Sequence, residues 1–103
     1  MKILYLNIKK IWFDLMINQK KNIEYRKNTA WIQSRLINKH YDYIKFINGY
    51  GNNKPYFICK FLNYEISKKN YIVSIDKHEI SVQNGDFLIY LGSIIETGNL
   101  DKI

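Results

Sequence analysis

Hydrophobic residues fall in short runs whose period switches between two and about 3.6, and these switches divide the 103-residue chain into elements. "ILYLNI" (3–8) alternates as a strand. Ile8, Ile11, Trp12, Leu15 and Met16 then recur at helical spacing and predict an amphipathic helix of about ten residues, with Lys9, Lys10 and Asp14 off the apolar stripe. A turn at Asn18–Lys20 leads to a strand, "NIEYR". Asn28 or Thr29 then offers an N-cap for a second helix, "AWIQSRLIN", in which Trp31, Ile32, Arg35 and Leu36 gather on one side.

From residue 41 the pattern is that of strands. "YDYIKFI" (41–47) runs into "NGYGNN", whose glycines and asparagines accept positive φ and so predict a hairpin loop before the long strand "PYFICKFLNYEI" (55–66). Both alternating sets of that strand are largely apolar, which predicts burial on two sides, as in a closing barrel. "NYIVSI", "HEISV" and "FLIYLGSII" are further strands, parted by "DK" and "QNGD" turns. The expected fold is α+β: a small mixed β-barrel of five to six strands with two short helices near the N-terminus, one domain over residues 1–103.

Composition removes several function classes. No apolar run approaches the roughly 20 residues of a membrane helix, and the apolar start is broken by Asn7, Lys9 and Lys10 before signal-peptide length. A cytoplasmic protein without membrane association is expected, as a monomer or weak dimer. Cys59 is a lone cysteine, and His40 and His78 lack metal-ligand spacing, so neither disulfide, metal nor cofactor is expected. Charge adds a positive indication. Residues 1–60 hold 12 Lys/Arg against 3 Asp/Glu, while residues 61–103 hold 4 against 6. A basic half of this kind is the electrostatic footprint of a nucleic-acid binder. The chain is also rich in Asn, Ile, Lys and Tyr, which AT-rich codons favour, so the excess of lysine carries only part of that weight.

The stretch "QKKNIEYRK" (19–27) concentrates the chemistry. In an extended conformation Ile23 and Tyr25 share one face and Asn22, Glu24 and Arg26 the other, so a charged row lines one side of the strand. That row is either a solvated surface or the wall of a site for an anionic ligand. The order strand, helix bearing Trp–Phe, turn, then Lys-x-x-Glu-x-Arg resembles the motif of the ASCH domain, a PUA-like family of small RNA-associated barrels. The family pattern Gly-x-Lys-x-x-Glu-x-Arg is met here by Lys21, Glu24 and Arg26, with Gln19 in place of the glycine. Asn18 is then the expected left-handed residue of the turn. Trp31, "HYDYIKFINGYG" (40–51) and "FLIYLGSIIETG" (87–98) extend the resemblance to the small ASCH proteins of bacteria and phages over almost the whole chain.

The resemblance implies a cleft between the early helices and the barrel, with Lys21, Glu24 and Arg26 at its mouth. It also implies RNA binding, RNA cleavage or, in one branch, amide hydrolysis on an acylated cytidine. This chain carries Glu24 where that branch has threonine, which leaves Lys21 a weak catalytic candidate. The expected roles are Arg26 as a planar fork for phosphate or a base edge, Lys21 as a charged contact to phosphate, and Glu24 orienting both or accepting from an exocyclic amine. Tyr50, in the glycine loop, is the stacking candidate. Lys20, Lys45 and Lys54 complete the expected basic ligand surface, while Trp12, Phe57 and Phe61 read as packing residues. Two further readings stay open. One is a phage or mobile-element protein that inhibits a bacterial nucleic-acid-handling defence complex by protein binding, as an anti-CRISPR does. The other is an amidohydrolase acting on modified nucleosides.

Overall fold

A computed structural model describes residues 1–102. The chain runs β1 (Ile3–Asn7), α1 (Lys10–Ile17), β2 (Ile23–Arg26), α2 (Ala30–Leu36), β3 (Tyr43–Ile47), β4 (Tyr56–Ile66), β5 (Tyr71–Ile75), β6 (His78–Val82) and β7 (Phe87–Gly98), closing on a 3-10 turn, Leu100–Lys102. Five strands form one sheet in the order β1-β3-β4-β7-β2, and β5 and β6 form a separate two-stranded ribbon. Only β1 and β3 are parallel; the other neighbours are antiparallel. The α+β class and the two early helices are as expected. The described strands number seven rather than five or six, and the large sheet is a curled half-barrel.

Curvature comes from the two longest strands. The register of β4 on β7 shifts between Ile58 and Cys59, between Cys59 and Phe61, and between Phe61 and Asn63. Extra residues of this kind bend a strand and raise its twist, wrapping the sheet around one face. That face holds the core: Leu6, Ile44, Phe46, Phe57, Phe87 and Ile89 meet Phe13 and Met16 of α1 and Ile32 and Leu36 of α2. Each apolar side chain buried in this way contributes about 1.5–3 kcal/mol. The ribbon is an excursion between β4 and β7, pinched at its root where the Ser67 N–H donates to the Asp86 carbonyl (2.8 Å) and the Gly85 N–H to the Ser67 carbonyl (2.8 Å).

Three local expectations need correction. The buried stripe of α1 is Phe13, Leu15 and Met16, and Ile11 is exposed. Leu15 and Met16 keep their predicted places, while Phe13 rather than Ile11 enters the core and Ile8 joins it from just before the helix, which begins at Lys10. In α2 the Thr29 hydroxyl accepts from the Ile32 N–H at 3.2 Å, as its N-cap role requires. However, only Ile32 and Leu36 face inward, and Trp31 lies outside with the Arg35 guanidinium 5.1 Å from its ring. Burial of β4 on both sides fails too: Phe57 and Cys59 are buried, whereas Leu62 and Ile66 are exposed, because both helices pack on one face of the sheet. Among the described residues no helix is long and apolar enough to cross a membrane.

Candidate functional site

The site begins with how α1 stops. The Gln19 N–H donates to the Met16 carbonyl (3.0 Å) and the Lys20 N–H to the Leu15 carbonyl (2.8 Å), the paired bonds of a Schellman motif. Gln19 takes the left-handed conformation at φ +60°, while Asn18, expected in that role, stays at φ −83°. The Lys21 N–H also reaches the Leu15 carbonyl, at 3.2 Å. Lys21 thereby leaves the helix end with its backbone fixed and its side chain turned inward.

The register of β2 on β7 explains what it meets. Glu24 lies opposite Ile89 and Arg26 opposite Phe87, and both partners are core residues, so this face of β2 points inward. A carboxylate in that position needs compensation, and it has two cations. Lys21 Nζ donates to Glu24 Oε1 at 2.8 Å and Arg26 Nε to Glu24 Oε2 at 2.7 Å. The side chains of Lys21 and Glu24 are only 2% and 7% exposed. Lys21 Nζ further donates to the Ile23 carbonyl (2.7 Å), and it stands 6.0 Å from the Trp12 ring and 5.6 Å from that of Tyr25. Among the described residues, every buried side-chain nitrogen and oxygen has a hydrogen-bond partner. Burial holds the Lys21 ammonium below its ordinary pKa of 10.5; the attraction and hydrogen bond of Glu24 oppose the shift, and Arg26 adds to it.

Arg26 does one thing more. Its Nη2 donates to the Asn7 carbonyl at 2.7 Å, at the end of β1. Since β1 and β2 are the two edges of the sheet, this single side chain bridges the gap that strand pairing leaves open.

Both partners of the bridge, Asn7 and Arg26, line a cleft of about 770 Å³. Its aromatic lining is Trp12, Tyr25 and Tyr50, its cationic lining is Lys9, Arg26 and Lys27, and Glu24 also lines it. Tyr50 is 81% exposed at the rim. Lys27 is steadied by Asp86 (2.9 Å) and by the Ser81 carbonyl (2.9 Å). Asp86 itself is buried, which raises its pKa, but the Gln83 N–H and the Lys27 ammonium outweigh this and hold it below the usual carboxylate value. A smaller hollow of about 330 Å³ continues from the cleft past Trp12 and Tyr25 to Ser81 of the ribbon. His78 of the ribbon meets Trp12 edge to face, with ring centroids 5.9 Å apart.

The expected site residues therefore separate. Glu24, Arg26 and Tyr50 share the cleft. Lys21 is absent from this cleft's lining; it is buried and hydrogen-bonded to Glu24 and to the Ile23 carbonyl, and it lines the smaller hollow alongside. Lys20 pairs with Asp76 at 2.8 Å and ties the ribbon turn to the end of α1. Lys45 and Lys54 line a different hollow. Trp12, expected as a packing residue, packs half-buried against the core and also lines the cleft; Tyr25 and Lys9 join it there. Cys59 is buried, with its thiol pushed up to about 12 by burial, as befits a small core residue. Among the described residues no cluster of His, Cys, Asp and Glu could hold a metal ion.

No family model matches the chain, and neither the curated proteins nor the solved structures yield a match.

Proposed function

We propose that this protein is an ASCH-type nucleic-acid-binding domain, and that the cleft between α1, the end of β2 and the 48–54 loop holds a nucleotide of single-stranded RNA. One observation carries the reading: three aromatic rings, Trp12, Tyr25 and Tyr50, and three cations, Lys9, Arg26 and Lys27, converge on one open cleft. Unpaired bases stack on such rings for about 1–3 kcal/mol each, while lysine and arginine take the phosphates. Lys9 makes no ion pair among the described residues and is the free phosphate contact; Arg26 keeps its outward N–H groups for a phosphate or base edge. Binding suits the site better than catalysis, because Lys21 is locked to Glu24 and to a backbone carbonyl. Two local features support the family reading. Gln19 is left-handed at the position where the ASCH motif has glycine, and Lys21, Glu24 and Arg26 form one hydrogen-bonded unit.

Fluorescence anisotropy with labelled octauridylate tests the proposal. Saturable binding is expected that weakens as salt rises, with Tyr50→Ala lowering affinity at least about fivefold, the lower end of one stacking contact, and Lys9→Ala lowering affinity and flattening the salt dependence by about 0.7, the value of one phosphate contact. Binding absent up to tens of micromolar protein, or insensitive to salt, refutes it.

A further inference from the structure

We propose that the 48–54 loop is a ridge straddled by the bound strand, so that the hollow formed by Lys45 and Lys54 on its far side takes the phosphate of a neighbouring nucleotide. The inference rests on the reading of the cleft given above and extends it from one nucleotide to a polymer. The loop has cleft on one side and hollow on the other: Asn48, Gly49 and Tyr50 line the cleft, and Gly51, Asn52, Asn53 and Lys54 line the hollow of about 300 Å³.

The hollow is suited to an anion. Lys45 and Lys54 enter it beside the amides of Asn52, Asn53 and Asn99, and neither lysine is paired with a carboxylate among the described residues. Lys45 Nζ rests 4.1 Å from the centroid of the Tyr56 ring, a cation–π platform that holds the ammonium at the hollow. That platform is fixed from beneath, since a Cβ at Gly98 would overlap the Tyr56 ring, and from its edge, since the Tyr56 hydroxyl donates to Glu96 (2.8 Å). The stem of Lys54 passes within 3.5–3.8 Å of where a Gly49 Cβ would stand, so Lys54 lies along the ridge that separates the two spaces.

The two spaces also keep a fixed relation. The Asn48 N–H donates to the Pro55 carbonyl (2.9 Å), the Asn48 amide to the Ile8 carbonyl (3.1 Å), the Asn7 amide to the Gly49 carbonyl, and the Asn99 amide to the Lys54 carbonyl (3.3 Å). A rigid root with an exposed Tyr50 at the tip presents two cationic spaces on either side of one stacking ring. A ligand that fills both must carry charge at intervals along a flexible chain, with a flat group between charges. Single-stranded nucleic acid has that composition; an isolated nucleotide fills one space only.

The test compares UpU with octauridylate, using wild-type protein, Lys45→Ala/Lys54→Ala, and Lys68→Ala/Lys69→Ala as a control that removes the same charge elsewhere. The Lys45/Lys54 variant should lose about tenfold affinity for octauridylate and flatten the log K against log salt slope by about 0.7, the value of one phosphate contact on a single strand. Its affinity for UpU should stay within about twofold of wild type. Equal losses in the Lys45/Lys54 and Lys68/Lys69 variants overturn the ridge and leave the cleft reading standing. Competition by an oligoglutamate of equal charge as effective as by octauridylate also overturns it, since the flat group between charges would then be dispensable. Failure of wild-type protein to bind either RNA removes the cleft reading and the ridge with it.

Discussion

Replacing Glu24 by glutamine removes the carboxylate that two cations share, and leaves the Lys21 ammonium facing Arg26 in a site where the lysine is 2% exposed. Breaking a buried pair by removing one partner costs about 3–5 kcal/mol, because the remaining charge has lost its compensation. For a domain of this size that corresponds to a fall in Tm of at least roughly 10 °C. The loss should also depend on pH in a definite sense. Without Glu24, burial and Arg26 both act to lower the Lys21 pKa, whereas the unfolded lysine keeps its ordinary value of 10.5. Between those two values the unfolded chain binds more protons than the folded one, so stability rises with pH and the defect shrinks. Urea unfolding followed by circular dichroism at pH 7 and at about pH 9.5 measures both effects. The double variant Lys21→Met/Glu24→Gln removes the stranded ammonium along with the carboxylate, while Arg26 keeps its bond to Asn7 and its partial exposure. It should recover most of the lost stability at pH 7, giving a coupling energy of about 0.5–3 kcal/mol. A Glu24→Gln loss under about 1 kcal/mol that does not change with pH would refute the buried triad.

Other consequences are simpler. Gln19→Gly should raise stability by roughly 0.5–1 kcal/mol in the same assay, since a left-handed residue with a Cβ carries about 1–2 kcal/mol of strain and glycine's extra unfolded entropy returns only part of it; a destabilised variant would contradict the Schellman geometry. Gly98→Ala should cost about 1–3 kcal/mol by forcing the Tyr56 ring aside, and an unchanged Tm would show that the ring is not seated there. Cys59 should resist a disulfide-exchange reagent at about pH 8 in the native protein and react fully in urea, because its thiol is buried and its pKa is about 12; rapid native labelling would place it at the surface.

Much of the fold is legible in the chain. Thr29 announces α2, the glycines and asparagines of 48–53 announce the β3–β4 hairpin, and "DK" and "QNGD" mark the ribbon's turn and its exit. Parity also separates Lys45 from the cleft: it lies between the buried Ile44 and Phe46, so it projects from the opposite face of β3. Other features depend on tertiary placement. The inward turn of Lys21 follows from the Schellman bonds of α1, and period arguments stop at a helix end. That Glu24 points inward follows from its register against Ile89, a residue 65 positions away in sequence. Leu62 is apolar yet exposed because both helices cover the same face of the sheet, and the composition of β4, apolar on both sides, does not show which face they cover. Periodicity puts Trp12 on the apolar stripe of α1, but it cannot show that the half-buried ring also borders a cleft built by β2 and the 48–54 loop.

The most direct test of nucleic-acid binding in the cleft uses the emission of Trp12. Trp31 lies outside on α2, so Trp31→Phe leaves Trp12 as the sole tryptophan. Titrating that variant with octauridylate should quench the emission saturably, at the same midpoint as anisotropy, and the midpoint should move to higher RNA concentration as salt is raised. RNA that binds by anisotropy while leaving Trp12 emission unchanged, or that does not bind, contradicts the account.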